Sequence, residues 1–436
     1  MMLDRPSALD ALFLYLEDSR VGLHIAATAV FEGPVPDDEQ IRARWTQLTT
    51  TDPRYRQVLR RTVLDLRRPR WVERGGFDID YHLRRTALPA PGGTAQLERT
   101  VGQLVSQRLD PDRPLWESCT IEGLQGGRWA VLVKVHHSLV DGLGGMALLA
   151  RLLDAGHPAP PPPPSAALLR RVLAAAAAPP RVAAALAGSA GGLLRYATSL
   201  WPTDPTSLTG PLGRARRYRT LTVDCADVRT VRAALGGTVN DVVLTMVANA
   251  FRTLLTERGE RPGTHAVRCL VPVATRTAAQ ADEGANRVSV VLVHLPVDCG
   301  DPATVHAVIR ARMTAAKTSG EAAAGERGFA AADLVPAPVF AAAVGALRRI
   351  PQRVVTTVTT NVPGPRAPQT LLGRPMVALF PFVPIADRIR VSVAVSSYVD
   401  HLHFGITCDR ATVPDADVFV AGLAAGLAGL VTAAAG

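Results

Sequence analysis

The stretch VKVHHSLVDGLGG, residues 133–145, puts His136 and His137 at the end of an apolar run, with Asp141 and Gly142 just beyond. An imidazole titrates near neutrality, so it can take the proton of a hydroxyl or amine as that group attacks an activated carbonyl. Successive side chains of a strand point to opposite faces, so only one of the two histidines can face a given cleft. A turn helped by Gly142, Gly144 and Gly145 would bring the Asp141 carboxylate back toward His137 or lock it against an arginine. The helix start that follows favours negative charge. The competing reading is that two histidines at a strand end only satisfy backbone groups.

Other chemistries find less support. LAGSAGG lacks the first glycine of GxSxG, and no cysteine adjoins the histidines in sequence, so a covalent nucleophile is not evident. His401, His403 and Cys408 alternate on an expected strand without zinc-site spacing, so no metal is expected. Neither a P-loop nor a GxGxxG fingerprint is present. General-base catalysis of direct acyl transfer remains.

The formal net charge of +10 points to an anionic partner, and nearly all of it is arginine, since lysine stands only at Lys134 and Lys317. Aromatic residues make up 5% of the chain and form no basic-aromatic platform, so nucleic acid is set aside. Five scattered cysteines without CxxC spacing fit a reduced compartment. The N-terminal segment carries acidic residues and no long apolar core, so a cytoplasmic protein is expected.

The histidines need elements to hold them. Residues 21–32 read as a strand, 95–109 as a helix by the spacing of Leu97, Val101, Leu104 and Val105, and 109–137 as a hairpin with a glycine-marked turn. HPAPPPPPS, residues 157–165, must be extended, and alanine-rich helical pieces follow it. Four arginines there, at 170, 171, 181 and 195, suit either a plain surface crossover or contact with an anionic bilayer. The second half shows a strand at YRTLTVDC, a helix over 238–259 stopped by Gly259, and several further strands. The terminal run from Val418, with Gly422 and Gly426 at GxxxG spacing, reads as a packed helix starting near PDAD rather than a membrane span. With 436 residues and 47% hydrophobic content, two α/β domains are expected: 1–155, a crossover over 156–213, and 214–436.

KVHHSLVDGLGG resembles the HHxxxDG motif of the chloramphenicol acetyltransferase-like superfamily. SALDALFLYLED, PLWE, TVNDVVLTMVANAF, TTNVPGP and SSYVDHLHFGITCD narrow the resemblance to the bacterial wax ester synthase/diacylglycerol acyltransferase family. The match covers nearly the whole chain except the proline- and alanine-rich crossover.

The resemblance implies an α/β fold of two chloramphenicol acetyltransferase-like (CoA-dependent acyltransferase) domains with a tunnel between them. Acyl-CoA is then a co-substrate, with no bound cofactor, and the acceptor is a long-chain alcohol or diacylglycerol. His137 becomes the general base, His136 supports the loop, Asp141 holds the turn, and Gly142 permits close backbone approach. Thr359, Thr360 and Asn361 are candidate oxyanion donors, or else simply terminate a strand. Leu115 and Trp116 of PLWE would shape the tunnel or be ordinary core. Asn240 and Asp241 either cap their helix or support the catalytic interface. Arg276 could pair with a carboxylate or a CoA phosphate, and Ser138 is expected to matter little. Peripheral contact with the inner membrane face or lipid droplets also follows. An acyltransferase of the same fold acting on a polyketide or peptide shares the histidine chemistry and stays open, as does a silent lipid-binding protein.

Overall fold

The computed structural model describes residues 8–18, 20–61, 69–73, 75–139, 142–155, 203–274, 288–318, 335–347, 349, 352–386 and 388–436. The polyproline run, the alanine-rich pieces with their four arginines, Asp141 and Arg276 lie outside the described residues. The first half contains α1 (Ala8–Leu16), β1 (His24–Phe31), α2 (Asp38–Thr51), β2 (Gln57–Arg60), β3 (Arg70–Glu73), β4 (Leu83–Ala87), α3 (Thr94–Ser106), β5 (Trp116–Leu124), β6 (Arg128–His136) and α4 (Gly142–Leu152). The second contains β7 (Arg216–Asp224), α5 (Cys225–Leu235), α6 (Val239–Glu257), β8 (Arg268–Ala274), β9 (Val288–His294), α7 (Pro302–Thr318), α8 (Ala337–Leu347), β10 (Thr357–Val362), β11 (Thr370–Leu371), β12 (Arg374–Phe382), β13 (Val391–Tyr398), β14 (His401–Asp409) and α9 (Ala416–Ala435).

Two six-stranded sheets form, in the orders β11-β12-β1-β6-β5-β4 and β7-β14-β13-β10-β8-β9. β1 is buried at every position, His24 and Thr28 included, because it is flanked by a strand on both edges and covered on both faces. The β5–β6 hairpin turns at Gly126 and Gly127, both with positive φ, where other residues would be strained. α3 stops at Ser106, short of the expected Leu109, which is buried from the following loop instead.

The sheets do not coincide with the halves of the sequence. β11 and β12 come from the second half, yet β12 pairs antiparallel with β1 in the first sheet. Two tyrosines of the second sheet fasten it there: Tyr218 Oη donates to the Pro381 carbonyl at 2.7 Å, and Tyr398 Oη to the Met376 carbonyl at 2.9 Å. Gly405 of β14 lies so close that a Cβ would fall 1.7 Å from the Pro381 oxygen. The exchanged strand therefore joins the two layers without an apolar spacer.

On its other side the second sheet carries α5, α6, α7 and α9 over a core that includes Val242, Phe251, Val393, Phe404 and Phe419. α9 is long and apolar enough to cross a membrane by length and composition, but it packs along α6. Its glycines make that approach possible: a Cβ on Gly422 would sit 2.7 Å from Ala250 Cα, and one on Gly426 3.1 Å from Met246 Cα. Gly422→Val should therefore push the two backbones apart and cost about 1–3 kcal/mol, read as a lowered thermal midpoint. An unchanged midpoint would mean that the helices can separate freely.

Candidate active site

β6 delivers both motif histidines, and its end is pinned from two sides. The His136 N–H donates to the Leu115 carbonyl at 2.9 Å and the His137 N–H to the Leu23 carbonyl at 2.9 Å. The side chains then part. His136 is buried; its Nδ1 accepts from the Ser138 N–H at 3.1 Å and lies 2.7 Å from Ser138 Oγ, while its Nε2 faces Glu17 Oε1 at 3.7 Å. An Nδ1 that accepts a backbone N–H carries no proton, so in the neutral ring the proton sits on Nε2. Burial, followed by the neighbouring His137 and Arg108, pushes the His136 pKa down to about 3. The contact with Glu17 is thus dipolar at neutral pH, not an ion pair. Glu17 itself accepts from the Leu23 N–H at 3.1 Å and from Arg108 at 3.1 Å, which ties α1, the strand entry and the motif together.

His137 takes a different surrounding. Its ring lies flat on Phe13 of α1, centroids 4.2 Å apart and planes 15° from parallel. Phe13 and Glu17 carried no motif signal of their own within SALDALFLYLED. Ser138, expected to matter little, instead sets the tautomer of His136. Gly142 opens α4, which packs against α2, β1 and β10.

The PLWE residues support this strand end from beneath. Trp116 is fully buried, stacked between Trp45 at 4.3 Å and His82 at 4.5 Å, and its Nε1 donates to the Tyr55 carbonyl at 2.8 Å. Leu115 is also buried, and it is the Leu115 carbonyl that holds His136. One step further, Lys134 Nζ pairs with Glu117 at 2.8 Å and donates to the Leu104 and Gln107 carbonyls. Sharing the carboxylate, Arg84 approaches Glu117 at 2.9 Å. Leu115 and Trp116 therefore sit in an apolar core on the first sheet, with Trp45, Val133 and Val135, where they hold the strand that carries the histidines.

Strand register separates the three oxyanion candidates. β10 runs parallel to β13, with Thr359 opposite Val393, Thr360 opposite Ala394 and Asn361 opposite Val395. Val393 and Val395 belong to the second core, so Thr359 and Asn361 share its face. Thr359 is fully buried there beside Cys269; burial pushes that thiol up to about 12, while the Thr359 hydroxyl and backbone pull it back in part. Thr360 lies on the opposite face with Val358, and Val358 packs in the cluster that contains Phe13 and Leu23, the two residues that hold His137. Of the three, Thr360 faces the histidine side.

Asn240 and Asp241 lie in the first turn of α6. Asp241 closes a capping box: its Oδ2 accepts from the Thr238 N–H at 2.7 Å and Oγ1 at 2.8 Å, and Thr238 Oγ1 accepts from the Asp241 N–H in return. The Thr245 hydroxyl donates to the Asp241 carbonyl at 2.8 Å and meets His306 Nδ1 at 3.2 Å. These partners all lie in the second half of the chain and make Asp241 a helix-start residue. On β14, His401 and His403 share one face and Cys408 the other, and among the described residues no group of His, Cys, Asp or Glu is arranged to hold a metal ion.

Several buried histidines make stability pH-dependent. Burial lowers the pKa of His24 well below its ordinary value, of His136 to about 3 and of His403 to about 4. In the unfolded chain each titrates near 6.5, so below that pH the unfolded state binds protons that the folded state refuses. Stability is intact above about pH 6.5 and falls on acidification toward about pH 4, by about 1.4 kcal/mol per pH unit for each histidine. The thermal midpoint should drop between pH 7 and pH 5; a flat profile would contradict this assignment.

Residues 7–243 match the family described as the wax ester synthase/diacylglycerol acyltransferase catalytic domain, and residues 284–430 its WS/DGAT C-terminal domain. The chain is 40% identical over 440 residues to the Mycobacterium tuberculosis (H37Rv) protein named "Probable diacyglycerol O-acyltransferase tgs1", covering 98% of this chain and 95% of that one. Among solved structures it is similar to the wax ester synthase/diacylglycerol acyltransferase of Marinobacter aquaeolei VT8, with a TM-score of 0.70 and 27% identity over 99% of this chain and 100% of the other. The starter condensation domain of rhizomide synthetase, solved with C8-CoA, shares the fold at a TM-score of 0.58 and 15% identity over 100% and 95% of the two chains. A histidine pair at the end of β6, two α/β layers joined by an exchanged strand and a family match across both halves lead to one conclusion: the chain belongs to the wax ester synthase/diacylglycerol acyltransferase family of acyltransferases.

Proposed function

We propose that the protein moves a fatty acyl group from a CoA thioester to the hydroxyl of a long-chain alcohol or diacylglycerol, by direct transfer with His137 as general base. The observation that carries this reading is the division between the histidines: His136 is buried and neutral, whereas His137 is presented beside Phe13 on the side faced by Thr360. His137 takes the proton of the acceptor hydroxyl as its oxygen attacks the thioester carbonyl. The resulting oxyanion accepts a hydrogen bond from the Thr360 hydroxyl. Its collapse breaks the C–S bond, and the imidazolium returns the proton to the leaving thiolate, so ester and free CoA thiol form in equal amounts.

Asp141, which lies outside the described residues, takes the orienting role that the motif resemblance gives it, Gly142 lets the backbone approach the reacting groups, and both substrates enter a tunnel between the domains. Arg276 is a candidate partner for a CoA phosphate. All five cysteines are free, which supports a cytoplasmic location, and the lipophilic acceptor supports a peripheral contact with a membrane or lipid droplet.

Incubating the purified protein with palmitoyl-CoA and either hexadecanol or a diacylglycerol tests the proposal. Ester should appear with matching thiol release. Thiol release without ester, or neither product with either acceptor, would overturn it.

A further inference from the structure

α8 is a surface helix without a polar face. Its sequence, APVFAAAVGAL, contains no charged or hydrogen-bonding side chain. A helix on the surface of a water-soluble domain normally turns an apolar stripe inward and polar residues outward. The inner side of α8 obeys this rule: Phe340, Ala341 and Val344 pack on Ala11, Leu12 and Tyr15 of α1. The outer side does not. Pro338, Val339, Ala342, Ala343 and Ala346 are exposed, and Val339, at 57%, is the most exposed large hydrophobic among the described residues.

Arg349 and Arg353 follow directly beyond the helix, both exposed, and neither has a carboxylate partner among the described residues. A short apolar face with two exposed arginines beyond its C-terminal end matches a surface with anionic groups outside and hydrocarbon beneath. Neither feature suits a polar protein partner. The position has a consequence for catalysis as well, because α1 contacts α8 with one side and lays Phe13 on His137 with another. One helix separates the exposed apolar face from the proposed base.

We propose that the outer face of α8 docks on an anionic phospholipid surface, with Val339, Ala342 and Ala343 entering the acyl boundary and Arg349 and Arg353 meeting the phosphates. This rests on the acyl-transfer reading above for its purpose, since docking there brings the lipid source within one helix of His137. The docking itself does not depend on which alcohol is acylated.

The test is flotation of the full chain with phosphatidylcholine vesicles with and without phosphatidylglycerol, at low and high salt. The wild type should float with phosphatidylglycerol, and less at high salt, because exposed charges are screened. Val339→Glu should reduce the bound fraction at least tenfold, while transfer from octanoyl-CoA to a water-soluble alcohol stays at the wild-type rate. Arg349→Glu/Arg353→Glu should lose the salt-dependent part of binding and provides a second route should the first variant fold poorly. Wild-type flotation by both variants would overturn the proposal, as would a wild type that never floats. A dimer seen by light scattering that Val339→Glu dissociates would also overturn it, by giving this face to a second copy. Loss of flotation in the variants of a protein that forms no ester would leave the docking standing and remove the acyl-transfer reading alone.

Discussion

Replacing His137 by alanine should lower kcat for acyl transfer by about 100- to 10,000-fold, the range over which a positioned general base contributes, while the fold survives. The imidazole is half-buried and rests on one face of Phe13, outside the fully buried core, so its removal opens no deep cavity. The backbone bond that holds residue 137, from its N–H to the Leu23 carbonyl, is unaffected by the side chain. Two measurements make the result specific. The thermal midpoint of His137→Ala should stay within a few degrees of the wild type, and any inflection of the wild-type rate near neutral pH should vanish in the variant. His136 cannot supply such an inflection, because burial holds its pKa at about 3. A variant that keeps the wild-type rate would end the general-base assignment.

The motif was legible because chemistry and secondary structure coincide there. An apolar run long enough for a strand ends at two histidines, and strand geometry alone sends their side chains apart. α6 was equally legible: TVNDVVLTMVANAF combines helical apolar spacing with a Thr–Asp capping box, and the helix forms over Val239–Glu257. The origin of β12 was not legible. Its pairing with β1 joins residues some 350 positions apart, and local periodicity holds no information about which sheet a strand enters. What marks the exchange is tertiary, namely the tyrosine hydroxyls on Pro381 and Met376 and the missing side chain at Gly405. Phe13, Glu17 and Ser138 were hidden for a related reason, since each acts through a contact with the motif and none carries a spacing of its own.

The same limit explains why Thr359, Thr360 and Asn361 could not be told apart as residues in a row, and why a second substitution now separates them. Thr360→Val keeps the side-chain shape and removes only the hydroxyl. If that hydroxyl meets the oxyanion, kcat should fall about 100-fold or more, with KM changed little because the ground-state carbonyl carries less charge than the tetrahedral oxygen. Thr359→Val removes the same hydroxyl one residue earlier, on the face that packs beside Cys269 in the second core. That change should leave kcat within a few fold of the wild type. The contrast between the neighbours follows from the register, in which Thr360 is paired with Ala394 and shares its face with Val358, whose cluster holds Phe13 and Leu23. A large kcat loss in Thr359→Val with none in Thr360→Val would mean that the face turned toward His137 is the other one. Equal small losses in both would place the oxyanion donors on a different element. A kcat loss confined to Thr360→Val would make one hydroxyl of the second sheet complete a centre whose base comes from the first, and the exchanged strand β12 would then be what holds the two halves of that centre at a fixed separation.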